Sequence, residues 1–245
     1  MINPNEKSLT GKVALITGGG TGIGRGVALT LADKAVRVVI CGRRETRLAE
    51  TVDAISKSGG ESLAVQADVS RPNDVDRLVK VVLDTFDRID ILINNAGVFA
   101  EAPIHELEVE DWETTMAVNL RGPFLLTRAV LPYMRQQRSG HIINISSESG
   151  LEYYPGDGAY GVSKHALNAF SEYTQRENQE FNIRVNTICP GMVVTEMTDD
   201  STGLDRSKCL YPEDIADLVV WLLTRRDNIK IGTPILIQTM LNPWE

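Results

Sequence analysis

The sequence predicts a doubly wound, parallel α/β sheet built as a single domain over residues 1–245. Three observations predict it. Seven short, β-branched apolar runs recur along the chain, helical patterns separate them, and no linker, repeat or low-complexity stretch interrupts the alternation. A chain of 245 residues is also long enough to bury a full core without disulfide or metal staples.

In order, the strand-forming runs are 12–17 (KVALIT), 37–41 (RVVIC), 62–66 (SLAVQ), 89–94 (IDILIN), 141–145 (HIINI), 184–188 (RVNTI) and 235–238 (ILIQ). Their apolar residues are largely consecutive, the pattern of strands covered on both faces. Helical spacing occupies 22–34, 45–57, 72–86, 109–137, 159–181 and 212–224. Parallel neighbours need crossover connections, so this alternation places helices on both faces of one sheet. Two helix starts carry local signals. Ser70-Arg71-Pro72 sets a cap-forming side chain and a proline near the first turn, and Pro212-Glu213-Asp214 sets proline and acids where the helix dipole favours them. The segment 196–210 is polar and weakly periodic, a loop or short helix over the carboxyl edge of the sheet, where ligands bind in such folds.

Composition narrows the function. Hydrophobic residues at 42% and charged residues at 24% exclude disordered, collagenous and disulfide-scaffold classes. With 25 basic against 33 acidic side chains the net charge is −8, which argues against a nucleic-acid partner, and the one basic knot, Arg43-Arg44 with Arg47, is too small for one. No apolar run approaches the roughly 18 residues that span a bilayer, so no membrane partner is expected. The start, MINPNEKSLTGK, lacks the pattern of a signal peptide, and the cytoplasm is the expected location. Cys41, Cys189 and Cys209 show no CxxC spacing and read as reduced thiols. His105, His141 and His165 have no i, i+4 pair, and no metal is expected.

After the first strand the chain reads Thr17-Gly18-Gly19-Gly20-Thr21-Gly22-Ile23-Gly24-Arg25, a GxxxGxG pattern on Gly18, Gly22 and Gly24. Glycines there let the backbone turn tightly and approach a pyrophosphate, which then faces the amides and the positive end of the next helix. A turn serving only strand-to-helix packing is the blander alternative. An acid about 20 residues after such a loop would hold the ribose 2′-hydroxyl of NAD. Here that place reads Cys41-Gly42-Arg43-Arg44, with two guanidinium groups suited to a 2′-phosphate, so NADP(H) is the expected cofactor.

Tyr160 and Lys164 share one helix face by their i, i+4 spacing. Ser147 lies 13 residues before Tyr160 at the end of the fifth strand, and Asn119 lies inside the fourth crossover. Asn94-Asn95-Ala96-Gly97 ends the fourth strand and Pro190-Gly191 the sixth. Together with the glycine loop these motifs resemble the short-chain dehydrogenase/reductase family, over about Thr10 to Thr224.

The resemblance implies a Rossmann fold with strand order 3-2-1-4-5-6-7, a catalytic region over 119–164 and a substrate loop over about 192–210. It implies that Tyr160 exchanges the proton with the carbonyl oxygen and that Ser147 hydrogen-bonds that oxygen. Lys164 would hold the nicotinamide ribose and lower the tyrosine pKa, and Asn119 would bind a water that relays protons onward. A cation roughly 6 Å from a phenol, at an effective dielectric of about 20, contributes about 2.8 kcal/mol. That lowers a pKa of about 10 by about two units. Around the cofactor, Gly18, Thr21, Gly22, Ile23 and Gly24 would take the pyrophosphate, and Arg43 and Arg44 the 2′-phosphate. Asp68 and Val69 would border the adenine, Asn95, Ala96 and Gly97 the adenosine ribose, and Pro190, Gly191, Val193 and Thr195 the nicotinamide end.

The chain also departs from the family. Thr21 stands where a basic residue is common in NADP-dependent members, so the cofactor preference rests on Arg43 and Arg44. The ending ILIQTMLNPWE lacks the Asp-Gly-Gly frequent among 3-oxoacyl-thioester reductases, and Trp244 is read either at a subunit interface, beside the substrate loop or as an exposed tail residue. The implied activity is reduction of a ketone or aldehyde by NADPH, with a small-molecule carbonyl or alcohol as partner. Assembly into a homodimer or homotetramer through the helices at 109–137 and 159–181 is implied as well. The alternatives are a nucleotide-sensing scaffold without turnover and an alcohol dehydrogenase working oxidatively. Tyr153, Tyr154 and Met197 suggest a partly apolar substrate pocket, while Glu148, Glu152 and Asp157 would suit a polar or cationic substrate.

Overall fold

Strands form where the β-branched runs stand: β1 (Val13–Thr17), β2 (Arg37–Gly42), β3 (Ser62–Gln66), β4 (Ile91–Asn94), β5 (Gly140–Ile145), β6 (Ile183–Pro190) and β7 (Ile235–Ile237). In the computed structural model, which describes residues 7–199 and 201–244, they make one parallel sheet ordered β3-β2-β1-β4-β5-β6-β7. The reading of the chain start falls partly on residues 1–6, and one position of the loop segment falls on Asp200; these lie outside the described residues.

The helices are α1 (Gly22–Asp33), α2 (Glu45–Lys57), α3 (Pro72–Phe86), α4 (Val109–Met116), α5 (Gly122–Gln137), α6 (Gly158–Asn178) and α7 (Pro212–Thr224). Alternate strand residues feed two apolar layers. Ala14 and Ile16 of β1 pack with Val27 and Leu31 of α1 and with Ile215 and Val219 of α7. Val13 and Leu15 face the other way, against Leu78 and Val82 of α3 and Leu126 and Val130 of α5. Each fully buried Leu or Ile contributes about 1.5–3 kcal/mol of transfer free energy. Among the described residues no helix is long and apolar enough to cross a membrane.

Two local expectations need correction. The single helix read over 109–137 is α4 and α5 joined by a π-helical turn, Ala117–Arg121. Pro123 has no N–H to give the Asn119 carbonyl, so an unbroken i→i+4 ladder is impossible there, and such turns concentrate at functional sites. Nor does Ser70 cap α3. Its hydroxyl donates to Asp68 Oδ1 at 2.7 Å, and Arg71 takes the N-cap position without a side-chain bond. The acids read at the start of α7 do act locally, because the Tyr211 N–H donates to Asp214 Oδ2 at 2.7 Å.

Candidate active site

The strand order reverses direction around β1 and β4, opening a crevice at their carboxyl ends. Thr17, the last residue of β1, stitches that crevice together. Its Oγ1 accepts the N–H groups of Asn95 and Ala96, each at 2.9 Å, and its carbonyl accepts Asn95 Nδ2 at 2.8 Å. The Asn95 amide is therefore committed to holding the glycine loop against the end of β4. Gly18 has φ +65°, and a Cβ on Gly24 would stand 2.4 Å from the Gly18 carbonyl oxygen, so loop and helix approach more closely than any side chain allows. α1 starts at Gly22 with no side-chain cap and no acid in its first turn. Its first N–H groups and the positive end of its dipole are thereby left for an anion.

A cavity of about 240 Å³ follows, lined by Gly18, Thr21, Gly22 and Ile23 on one side and by Asn95, Ala96 and Gly97 on the other. Arg43, Arg44, Asp68 and Val69 line one end, and Tyr160, Lys164 and Thr195 also reach it. The remaining predicted positions stand behind this surface. Gly24 is buried in α1, and Val193 is buried and bridged to Leu210. Pro190 ends β6, and a Cβ on Gly191 would meet Gln238 and the Glu148 carboxylate.

At the arginine end, β2 finishes in Cys41-Gly42 with no carboxylate. Arg44 Nη2 donates to Thr21 Oγ1 at 3.1 Å, so Thr21 orients the guanidinium rather than supplying charge. Arg44 Nη1 also pairs with Glu196 Oε2 at 2.8 Å, and Arg47 Nη2 with Glu196 Oε1 at 3.0 Å. Burial alone would raise the Asp68 carboxyl, but hydrogen bonds from Ser70 and the charges of Arg43 and Arg71 outweigh it and hold the group below the ordinary range. An uncapped helix end, a glycine cradle and three arginines fit a dinucleotide carrying an additional phosphate.

At the other end stand the four residues read as catalytic. Ser147 is extended, its Oγ accepts the Ser149 N–H at 3.1 Å, and it stands near enough to Tyr160 to draw the phenol's pKa down. The neighbouring Ser146 is buried and donates to the Lys164 carbonyl at 3.2 Å, which leaves Ser147 as the serine at the phenol. Lys164 Nζ donates to the Ile145 carbonyl at 2.9 Å and lies 5.4 Å from the centre of the Tyr160 ring. A Cβ on Gly97 would be 3.8 Å from that Nζ and 3.6 Å from Asn119 Oδ1, so all three converge. The Asn119 side chain accepts the Val98 N–H and donates to the Val98 carbonyl, both at 2.9 Å, and donates to Ser163 Oγ at 3.1 Å. One amide hydrogen and the amide oxygen thus fix Val98, and the second hydrogen ties the side chain to Ser163 of α6.

The phenol differs from its expectation. Burial pushes Tyr160 up to about 12 against the pull of the Ser147 hydrogen bond, and Asp157, Cys189 and Glu148 push the same way. Lys164 is itself brought down to about 8 by burial. The anticipated two-unit lowering of the tyrosine is absent in this arrangement, because burial of the phenol dominates its titration.

Sequence reasoning missed several neighbours. Phe99, itself exposed, meets the Tyr160 ring edge-on with centroids 5.1 Å apart. Tyr153, by contrast, stacks on His165 and is largely exposed, whereas Met197 lines the cavity. Arg47 had a signal, since it lies three residues beyond Arg44 at the start of a helical pattern. Glu196 had none, standing 152 residues from Arg44. Burial raises the Glu148 carboxyl, with Asp157 and Glu152 adding to it. Among the described residues no three His, Cys, Asp or Glu side chains gather as a metal site.

Residues 12–203 match the family described as short chain dehydrogenase. A 3-oxoacyl-[acyl-carrier-protein] reductase of Synechocystis sp. is 37% identical over 224 residues, covering 89% of this chain and 91% of its own. An uncharacterized oxidoreductase of Staphylococcus epidermidis is 36% identical over 221 residues, covering 90% and 94%. Among solved structures, levodione reductase superposes with a TM-score of 0.88 at 27% identity, covering 94% of this chain and 97% of its own. A metagenomic short-chain oxidoreductase in complex with NADP gives 0.84 at 33% identity, covering 96% and 100%.

Proposed function

The chain belongs to the short-chain dehydrogenase family, and from that premise we propose that it is an NADPH-dependent reductase of a ketone or aldehyde. The observation that carries this reading is a single cleft that Tyr160 and Lys164 line at one end and Arg43, Arg44 and Arg47 at the other. Relatives named as reductases and a relative solved with NADP support it.

The bound cofactor supplies a hydride to the carbonyl carbon. The chain's own residues manage the proton and the geometry. Burial keeps Tyr160 protonated at neutral pH, the form that has a proton to give to a carbonyl oxygen. Its O–H passes the proton to the carbonyl oxygen, which Ser147 holds by a hydrogen bond as charge develops there. Lys164 stands beside Gly97 and Tyr160 with further donors for a ribose hydroxyl. Asn119 fixes Val98 and so the floor of the cleft. Phe99 packs edge-on against the Tyr160 ring and limits its movement.

The test is NADPH consumption over a panel of ketones and aldehydes, with Tyr160→Phe as the control. Turnover should fall by about 10³-fold or more in the variant while NADPH still binds, the loss of one acid and its hydrogen bond. Retained turnover would remove the proton-donor role, and a silent panel would favour the sensor alternative. Self-association belongs to the same proposal. Phe124 of α5, which is exposed, and Phe170 of α6 meet edge-on at 6.3 Å beside an open groove. A monomeric mass by light scattering removes that part.

A further inference from the structure

We propose that Glu196 sets the discrimination between phosphorylated and unphosphorylated dinucleotides, because its carboxylate occupies Arg44, one of the two arginines on which a 2′-phosphate would rest, together with the adjacent Arg47. The inference deepens the NADP reading above and depends on it. Glu196 opens the turn Glu196–Thr198, directly after Thr195, and lines the same cavity as Arg44 and Arg47. Its two oxygens are divided between the two guanidinium groups, at 2.8 and 3.0 Å. Arg47 uses its other terminal nitrogen on Glu50 at 3.1 Å.

Charge counting gives the consequence. Two guanidinium groups face two carboxylates, so the Arg44–Arg47 pair carries no net positive charge while Glu196 is in place, and Arg43 supplies the remaining guanidinium charge at that end of the cavity. A phosphate monoester brings a charge of about −1.5 to −2 and three acceptor oxygens. It gains little from a neutralised pair and competes directly with the carboxylate for the same N–H groups. The contest is open, because Arg44, Arg47 and Glu196 are all substantially exposed and pairs in such surroundings are individually weak. A cofactor with a 2′-hydroxyl has no such competition, and its affinity is insensitive to Glu196. The remainder of the loop is anchored elsewhere: Asp205 N donates to the Pro243 carbonyl at 2.8 Å and Thr239 Oγ1 to the Lys208 carbonyl at 2.7 Å. Displacing Glu196 therefore needs to shift the turn Glu196–Thr198 and not the loop as a whole.

The experiment is fluorescence or calorimetric titration of the full chain, and of its Glu196→Gln and Arg44→Ala variants, with NADPH, NADH and 2′,5′-ADP. Glu196→Gln should tighten NADPH and 2′,5′-ADP by about three- to tenfold, the range of one or two exposed ion pairs, and leave NADH within twofold. An unchanged or reduced NADPH-to-NADH affinity ratio in Glu196→Gln overturns the inference, whichever cofactor the wild type prefers. The Arg44→Ala variant separates the two readings. If it lowers that ratio while Glu196→Gln leaves it unmoved, the NADP reading stands and the role of Glu196 falls. If Arg44→Ala leaves the ratio intact, the phosphate seat itself is misplaced.

Discussion

The two ends of the same parallel strands both bury ionisable groups, and they treat them in opposite ways. At the amino ends, Asp90 is 4% exposed and accepts Lys12 Nζ, the Val13 N–H and two guanidinium nitrogens of Arg88 at 2.6–3.0 Å. Burial would raise its carboxyl, yet these partners hold it below the ordinary range. Arg184 is likewise fitted against the last carbonyls of α7 and against Asp227, which also pairs with Lys7. At the carboxyl ends, Lys164 is at least as deeply buried but bonds a neutral carbonyl, and among the described residues it forms no ion pair. Burial thus displaces both Tyr160 and Lys164 from their usual pKa values. Where charge is matched the buried group keeps its charge; where it is left unmatched burial displaces the groups toward their neutral forms.

The largest test breaks the matched end. Asp90→Asn keeps the shape of the side chain and removes the charge on which Lys12 and Arg88 converge. Both cations retain access to water, so the cost falls at the lower end for a broken buried pair, about 3 kcal/mol by urea unfolding. NADPH binding should be unaffected, because the substitution lies at the opposite edge of the sheet. Destabilisation below about 1 kcal/mol would show that the cluster is no more than a surface network.

This difference between the ends also explains what was legible in the sequence. The seven strands and their crossovers were, since buried parallel strands must be short, apolar and punctuated. Ser147, Tyr160, Lys164 and the glycine loop were legible because their spacings are local or match a family pattern. The break at Asn119 was not, although Pro123 carried the signal, because a proline one turn into a long helical pattern reads equally well as a helix start. The Tyr160 pKa was misjudged because the sequence gives separation along a helix but not depth, and depth decides the sign here. Glu196 was invisible because its partners come from the N-cap and first turn of α2, and only the folded crevice brings that loop to them.

A medium effect sharpens the comparison through pH. His141, on β5 near the matched end, is the one group there that burial and the Arg184 charge drive far down, to about 3 from 6.5. A histidine lowered in the folded state stays neutral while the unfolded chain takes up a proton, so stability is lost as pH falls below about 6.5. By pH 5 the loss attributable to this residue is about 2 kcal/mol, at about 1.4 kcal/mol per unit. His141→Gln keeps a donor for Asn186, now 2.8 Å from His141 Nε2, and cannot titrate. Its unfolding free energy should be flatter between pH 6.5 and 5 than that of the wild type. Parallel slopes would mean that the imidazole is not held neutral.

The smallest effect carries the opposite sign. Lys164→Met removes a buried ammonium that has no counter-charge, so it should stabilise the fold while abolishing turnover. The drop from 10.5 to about 8 corresponds to roughly 3 kcal/mol of burial penalty. Against that stands the lost hydrogen bond to the Ile145 carbonyl, which then goes unpaired at about 1–2 kcal/mol. A net gain of about 1 kcal/mol at pH 7 remains. The linkage fixes how it varies. Below pH 8 both folded and unfolded chains hold the lysine proton and the penalty is complete. Between 8 and 10.5 the folded chain sheds it first, and wild-type stability rises with pH. The advantage of Lys164→Met should therefore shrink across that window in denaturation measured at pH 7, 9 and 10. A variant less stable than wild type at pH 7 would show that Lys164 is compensated after all, and that the two ends of the sheet do not differ.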